Sequence, residues 1–87
     1  MTKLEKLEDK IRDNPKSVAF NDLVRLLESY GFVSKRSKGS HHQYTCGEER
    51  LTIVAPHGKK GSMEVATYQV KQALEAIDRI IDNKRED

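Results

Sequence analysis

Two of the chain's three histidines, His41 and His42, are adjacent within the heptapeptide KGSHHQY. Imidazole has an unperturbed pKa of about 6.5, so it can accept or donate a proton near neutral pH. A cation, a glycine and a hydroxyl precede the pair, at Lys38, Gly39 and Ser40. Glycine lets the backbone approach a ligand closely and lysine supplies charge, a combination suited to a phosphate. The heptapeptide therefore indicates acid–base chemistry beside an anion, or a basic turn with no chemistry.

Zinc binding is a weaker interpretation of the same residues. The side chains that zinc would use are His41, His42, Cys46 and His57. Their spacing matches no familiar zinc motif, and alternation along a strand separates neighbouring histidines. A single cysteine also excludes an internal disulfide framework. We therefore expect no metal and no other cofactor.

Basic residues are concentrated in the middle of the chain. The net charge of the 87 residues is +2, but residues 34–60 alone carry six basic and two acidic side chains. Residues 1–33 carry six of each sign, and residues 61–87 carry four basic and six acidic. A local positive field favours a polyanionic ligand such as nucleic acid. A solvated surface with chance clustering is the alternative.

Length and composition indicate one small domain, residues 1–87, with a modest core. No apolar run approaches the roughly 18 residues that a membrane span needs. The charged start, MTKLEKLEDK, does not look like a secretory signal. A cytoplasmic protein with no membrane contact is the expectation.

Hydrophobic periodicity predicts three helices, over residues 2–14, 19–30 and 67–83. Gly31 is expected to cap the second helix in a left-handed conformation, and Thr67 to be the N-cap of the third. The first helix has a narrow apolar stripe, formed by Leu4, Leu7 and Ile11. Such a stripe would pack at the margin of the core or on a partner.

Three strands are predicted between the second and third helices, over residues 32–36, 41–46 and 50–55. Polar turns join them at 37–40 and 47–49, and a loop follows over 56–66. The order α-α-β-β-β-α predicts an α+β fold, with a three-stranded antiparallel sheet and helices on one face.

Alternation in the second strand separates its side chains into two sets. Tyr44 and Cys46 are the natural inward residues, and His42 shares their parity. The opposite parity belongs to His41, Gln43 and Thr45, which should face solvent. The two adjacent histidines are therefore expected on different faces of the sheet.

Four stretches of the sequence together resemble the HicA toxins, small ribonucleases of bacterial and archaeal toxin–antitoxin pairs. They are FNDLVRLLESYGF, KGSHHQY, LTIVAPHG and YQVKQALEAI, and they occur in this order between about residues 20 and 81. The resemblance implies a fold similar to a double-stranded-RNA-binding domain. It also implies a HicA-like core over 19–83, with residues 1–18 as an N-terminal helical extension.

The resemblance further implies a toxin that cleaves mRNA without a metal, through a histidine that follows Gly-Ser at the start of the second strand. That position is His41 here. Cleavage by the RNA's own 2′-hydroxyl needs a base for that hydroxyl and an acid for the leaving 5′-oxygen, and imidazole can serve either role. The implied partner is a HicB-like antitoxin that covers this surface.

The remaining candidates receive secondary roles. His42 is expected to be structural, but a shift of one residue in the strand would exchange it with His41. His57 is a candidate second catalytic or phosphate-binding group, or a loop cap. Tyr44 could stack on a base, but its parity favours the core. The expected RNA-binding residues are Lys35, Arg36, Lys38, Gly39, Ser40, Gln43, Lys59 and Lys60.

Three functions remain open at this point. The leading hypothesis is a metal-independent endoribonuclease toxin restrained by an antitoxin. A non-catalytic RNA-binding module would use the same basic face, but it would need no imidazole at the start of a strand. A protein-interaction domain, suggested by the narrow stripe of the first helix, would have no affinity for RNA.

Overall fold

The computed structural model describes residues 2–39, 41–54 and 64–85, except for the side chains of 36–38, 84 and 85. The elements are α1 (Lys3–Asp13), α2 (Phe20–Ser29), β1 (Val33–Lys38), β2 (His41–Cys46), β3 (Glu49–Val54) and α3 (Thr67–Arg85). The predicted α+β class and the order α-α-β-β-β-α are confirmed. None of the helices in the described ranges has the length and apolar character to cross a membrane.

Local side-chain and backbone bonds define the start of α1 and the end of α2. The Thr2 hydroxyl accepts a hydrogen bond from the backbone N–H of Glu5 at 3.1 Å, which is the N-cap bond that their spacing predicts. After α2, Gly31 has a φ of +96°. The N–H of Phe32 donates to the carbonyl oxygen of Leu27 at 3.1 Å. This bond is typical of a Schellman motif, and it confirms Gly31 as the cap.

The start of α3 differs from the prediction by one residue. The backbone N–H groups of Gln69 and Val70 donate to the carbonyl oxygen of Ala66, at 3.0 and 3.2 Å. Ala66 therefore occupies the N-cap position, and Thr67 is the first helical residue. The prediction of Thr67 as the N-cap was wrong because a hydroxyl is a preference at that position rather than a requirement.

The three strands form one antiparallel sheet in the order β1-β2-β3. Lys38 pairs with His41, and Cys46 pairs with Glu49, so each hairpin turn contains two residues. The first turn is therefore shorter than the predicted 37–40, and β1 continues to Lys38. The sequence did not indicate this extension because β1 is polar and also contains a bulge, in which residues 35 and 36 lie opposite Gln43.

All three helices contribute to a core on one face of the sheet. The sheet presents Tyr44, Leu51 and Ile53 to it, and these side chains are buried. Ile11 of α1 is only 2% exposed, and Leu7 is partly buried against the same cluster. The stripe of α1 thus packs at the margin of the core, and only its first residue is exposed.

Polar contacts also attach α1 to the other two helices. The Tyr30 hydroxyl donates a hydrogen bond to the carboxylate of Glu8. Arg12 forms ion pairs with Glu8 at 2.8 Å and with Asp78 of α3 at 2.9 Å. The first helix is therefore integrated with the rest of the fold through both apolar and polar contacts.

Candidate active site

His41 begins β2 and lies on the sheet face opposite the helices. Its side chain is exposed, whereas that of Tyr44 is buried. Its backbone pairs with Lys38 of β1 on one side and with Val54 of β3 on the other. The exposed imidazole of His41 thus belongs to a residue of the central strand, whose backbone pairs with a strand on each side.

His42 lies on the other face, among the helices. Its side chain is half-buried, and its ring centroid is 5.3 Å from that of Phe20, with the two rings inclined by 52°. Tilted contacts at this separation are favourable for aromatic rings. The predicted parity of β2 therefore agrees with the structure, and the two histidines have different surroundings.

The open face also contains Arg50, a cation that is not among the predicted RNA-binding residues. Arg50 is exposed and pairs with Thr45 across the β2–β3 hairpin. Along β3, the exposed side chains of Arg50 and Thr52 alternate with buried side chains, which are Leu51 and Ile53. The alternation of apolar and polar residues in β3 was the signal that could have placed Arg50 on this face.

The other candidates on β1 and its turn are partly described. Lys35 is exposed within the bulge, and Gln43 on the neighbouring strand is exposed as well. Gly39 has a φ of +63°, and no atom of the described residues, apart from its chain neighbours, lies within 4 Å of where a Cβ would be. Gly39 itself is exposed. The side chains of Arg36 and Lys38, and the whole of Ser40, lie outside the described residues.

Both ends of the 55–63 segment are attached near the histidines. At one end Val54 pairs with His41. At the other end, Glu64 bridges Ala19, and its carboxylate accepts a 2.5 Å hydrogen bond from the Ser17 hydroxyl. Ala19 directly precedes α2, whose first residue contacts His42. The segment itself, with His57, Lys59 and Lys60, lies outside the described residues.

A buried glutamine supports the end of β3. Gln69 of α3 is 4% exposed, and its Oε1 accepts a 3.1 Å hydrogen bond from the backbone N–H of Val54. Since Val54 pairs with His41, this bond fixes the backbone beside the candidate catalytic residue. The sequence alone could not indicate the contact, because it joins a strand end to a helix residue 15 positions later in the chain.

Tyr44 and Cys46 belong to the core side of β2. Burial raises the pKa of the Tyr44 hydroxyl, and the charge of Glu28 adds to this effect. The Cys46 sulfur lies 3.5 Å from the carbonyl oxygen of Tyr30. The core placement of Tyr44 is confirmed, so its ring is not available for stacking on a ligand at the open face.

No group of three or more histidine, cysteine, aspartate or glutamate side chains within the described residues could hold a metal ion. The two described histidines lie on opposite faces of the sheet, and Cys46 lies on the side away from His41. These positions leave His41 as an exposed imidazole on the sheet face that also presents Lys35 and Arg50, which suits it for proton transfer beside an anion.

A family model described as "HicA toxin of bacterial toxin-antitoxin" matches residues 20–78, which is more than half of the 87-residue chain. The match starts at the first residue of α2 and therefore leaves α1 outside it. Comparison with curated proteins and with solved structures finds no match.

Proposed function

Since the chain belongs to the HicA toxin family, we propose that it is a metal-independent endoribonuclease that cleaves mRNA through His41. The family gives it a toxin role in a toxin–antitoxin system, and the ribonuclease chemistry is our inference. The observation that carries the proposal is the position of His41. It is exposed at the start of β2, on the face opposite the helices, and paired strands flank it on both sides.

The proposed reaction moves protons at two oxygen atoms of the RNA. The 2′-hydroxyl loses its proton and its oxygen attacks the adjacent phosphorus. The bond from phosphorus to the 5′-oxygen then breaks, and that oxygen takes up a proton. The products are a 2′,3′-cyclic phosphate and a 5′-hydroxyl. The imidazole of His41 can act as the base for the first oxygen or as the acid for the second.

Electrostatic attraction would hold the RNA across the open face. Lys35 and Arg50 are exposed there, and Gln43 between them offers hydrogen-bonding groups. Gly39 has no side chain and is exposed, which supports close approach of a phosphate to the backbone. We propose the same role for the remaining basic candidates, which are Arg36, Lys38, Lys59 and Lys60, together with Ser40.

Cleavage of single-stranded RNA by purified protein in the presence of EDTA tests this function. We expect the same rate of cleavage with and without EDTA, because imidazole supplies proton transfer without a metal. The products should have 2′,3′-cyclic phosphate and 5′-hydroxyl ends. A non-catalytic RNA-binding module would bind the same RNA and leave it intact. Loss of cleavage on chelation, with recovery on addition of a divalent metal ion, would contradict the proposed mechanism.

Family membership implies an antitoxin partner, and we propose that this partner is HicB-like and covers residues 38–45. A surface that is acidic or mimics RNA would associate rapidly with the basic face and would exclude RNA directly. Docking through the stripe of α1 is a poorer alternative, since Ile11 is buried in the core and only Leu4 is exposed. The charge of the basic face and the burial of Ile11 in the stripe of α1 thus both favour direct occlusion of His41.

Hydrogen exchange of the free protein and of the complex distinguishes these two arrangements. We expect new protection in residues 38–45 when the antitoxin binds. Protection confined to residues 2–30 and α3, with 38–45 unchanged, would show that inhibition acts from the helical side and would contradict direct occlusion.

A further inference from the structure

Tyr68, at the start of α3, is the exposed member of the chain's aromatic residues. Its side chain is 61% exposed. The other four phenylalanine and tyrosine side chains are buried or half-buried: Phe20, Tyr30, Phe32 and Tyr44. A tyrosine offers an apolar ring and a polar hydroxyl together, and exposed tyrosines are enriched at binding surfaces for this reason.

A buried side chain connects Tyr68 to the strand end beside His41. The Nε2 group of Gln69 donates to the Tyr68 hydroxyl at 3.5 Å, and its Oε1 accepts from the backbone N–H of Val54 at 3.1 Å. Gln69 is 4% exposed, so its position is fixed by the core. The carboxamide of Gln69 therefore bridges the Tyr68 hydroxyl and the backbone N–H of Val54.

The pairing of Val54 with His41 brings this connection to the candidate active site. β3 is an edge strand, so a backbone N–H that is bonded to Gln69 points away from β2. Val54 and His41 then form an antiparallel pair without mutual hydrogen bonds, in which the Cα atoms are only about 4.5 Å apart. Tyr68 thus lies beyond the β3 edge of the sheet, and Val54 stands between its hydroxyl and His41 of β2.

We propose that the ring of Tyr68 stacks on a base of the RNA substrate, close to the nucleotide that reacts at His41. This inference rests on the proposed ribonuclease function. Single-stranded RNA exposes unstacked bases, and proteins bind them on the faces of exposed aromatic rings. The 3.5 Å contact with Gln69 places the tyrosine hydroxyl beside a buried carboxamide, and the side chain remains exposed to a ligand.

Stacking of this kind would complement the basic face rather than duplicate it. Lys35 and Arg50 attract phosphates, whose contribution weakens as salt rises. A ring that stacks on a base carries no charge, so its contribution should not depend on salt in that way. Every base presents a π face, and Tyr68 would therefore add affinity and position with little sequence preference.

The test measures binding of a short single-stranded 2′-O-methyl RNA, which lacks the nucleophilic hydroxyl and cannot be cleaved by the proposed reaction. Binding is measured over a range of salt concentrations for the wild type and for Tyr68→Ala, Tyr68→Phe and Leu4→Ala. Leu4 is the matched control, because it is an exposed apolar side chain on α1. A 2-aminopurine base in the RNA reports stacking through loss of its fluorescence.

We expect Tyr68→Ala to weaken binding between about five-fold and a hundred-fold, with an unchanged slope of log affinity against log salt. Quenching of 2-aminopurine should be lost in Tyr68→Ala and retained in Tyr68→Phe, which keeps the ring. Leu4→Ala should match the wild type in both measurements. Parallel salt lines together with lost quenching would be the signature of stacking.

Three outcomes would overturn the inference. If the wild type cleaves RNA but Tyr68→Ala binds and quenches as the wild type does, stacking by Tyr68 is refuted while the proposed function stands. If Tyr68→Ala weakens only the complex with the antitoxin, the ring belongs to a protein interface. If the wild type neither binds nor cleaves RNA, the proposed function fails and this inference fails with it.

Discussion

The imidazole of His42 lies against the ring of Phe20, with 5.3 Å between the ring centroids, although the adjacent His41 is exposed on the opposite face. One pair of neighbouring residues thus combines a side chain that packs with a side chain that solvent and ligands can reach. This division follows from the two-residue period of a strand, and it assigns different roles to two chemically identical groups.

Replacement of each histidine by alanine should therefore affect stability differently. We expect His42→Ala to lower the free energy of unfolding by about 1–3 kcal/mol, because it removes a packed ring, and His41→Ala to change it by no more than about 0.5 kcal/mol. Thermal unfolding followed by circular dichroism measures both variants, with the wild type as reference. Equal losses of stability would contradict the assignment of the two rings to different faces.

Several features of the fold could be predicted because they depend on local patterns. The alternation in β2 placed Tyr44 on the core side and His41 on the open side, and Gly31 marked the end of α2. The two hairpins followed from short polar turns that contain glycine. The end of β1 was predicted two residues early, because its pairing with β2 is set by the register of the hairpin and by a bulge, neither of which leaves an apolar pattern.

The parts of the site that escaped prediction depend on contacts between distant residues. Gln69 resembles any polar helix residue until the fold places it against the N–H of Val54. The attachment of α1 depends on the bond of Glu8 to Tyr30, which follows α2, and on the ion pair of Arg12 with Asp78 of α3. Pairings of this range are decided by tertiary packing and not by sequence period.

Arg50 should contribute to RNA binding through charge alone. We expect Arg50→Ala to make the slope of log affinity against log salt shallower by up to about 0.7, the contribution of one neutralised phosphate on a single strand. Arg25→Ala is the matched control, since Arg25 is an exposed arginine on α2. A slope that changes as much for Arg25→Ala as for Arg50→Ala would place the RNA elsewhere.

The double replacement of Lys59 and Lys60 by alanine should also reduce the salt dependence, because these residues belong to the basic middle segment of the chain. Titration of single-stranded RNA at several salt concentrations gives the slope. We expect the double variant to have a shallower slope than the wild type. An unchanged slope would remove both lysines from the proposed RNA-binding surface.

The bond from Tyr30 to Glu8 should make stability depend on pH in alkaline solution. Burial raises the pKa of the Tyr30 hydroxyl to about 12, and its hydrogen bond to Glu8 adds to this effect. Unfolded tyrosine titrates at about 10, so the folded state keeps a proton that the unfolded state loses. The resulting stabilisation should be complete below about pH 10 and should disappear as the pH rises through about 12.

Tyr30→Phe provides the control for this pH dependence. Phenylalanine has no proton to lose, so the part of the alkaline decline in stability that Tyr30 causes should be absent from the variant. Glu8→Gln should lower the pKa of Tyr30, because it removes the negative charge beside the hydroxyl. Ultraviolet titration of the tyrosines and denaturant unfolding at each pH make the two measurements. An identical alkaline decline in wild type and Tyr30→Phe would contradict this contact.

Gly31→Ala should destabilise the junction between α2 and β1. The backbone at Gly31 has a φ of +96°, which costs an alanine about 1–2 kcal/mol. An added Cβ would lie 3.5 Å from the Cys46 sulfur, an ordinary contact, so we attribute the loss to the backbone. The double variant with Cys46→Ala should therefore show nearly additive losses in chemical denaturation. A large coupling between the two changes would indicate a steric cause.

The most direct test of the central claim is the rate of cleavage of single-stranded RNA by His41→Ala and by His42→Ala, measured under single-turnover conditions in EDTA. We expect His41→Ala to be folded and inactive, because it removes the imidazole that transfers protons. His42→Ala should cleave at a rate near that of the wild type at a temperature where it remains folded. Cleavage by folded His41→Ala at the wild-type rate, together with an inactive but folded His42→Ala, would contradict the assignment of His41 as the catalytic residue.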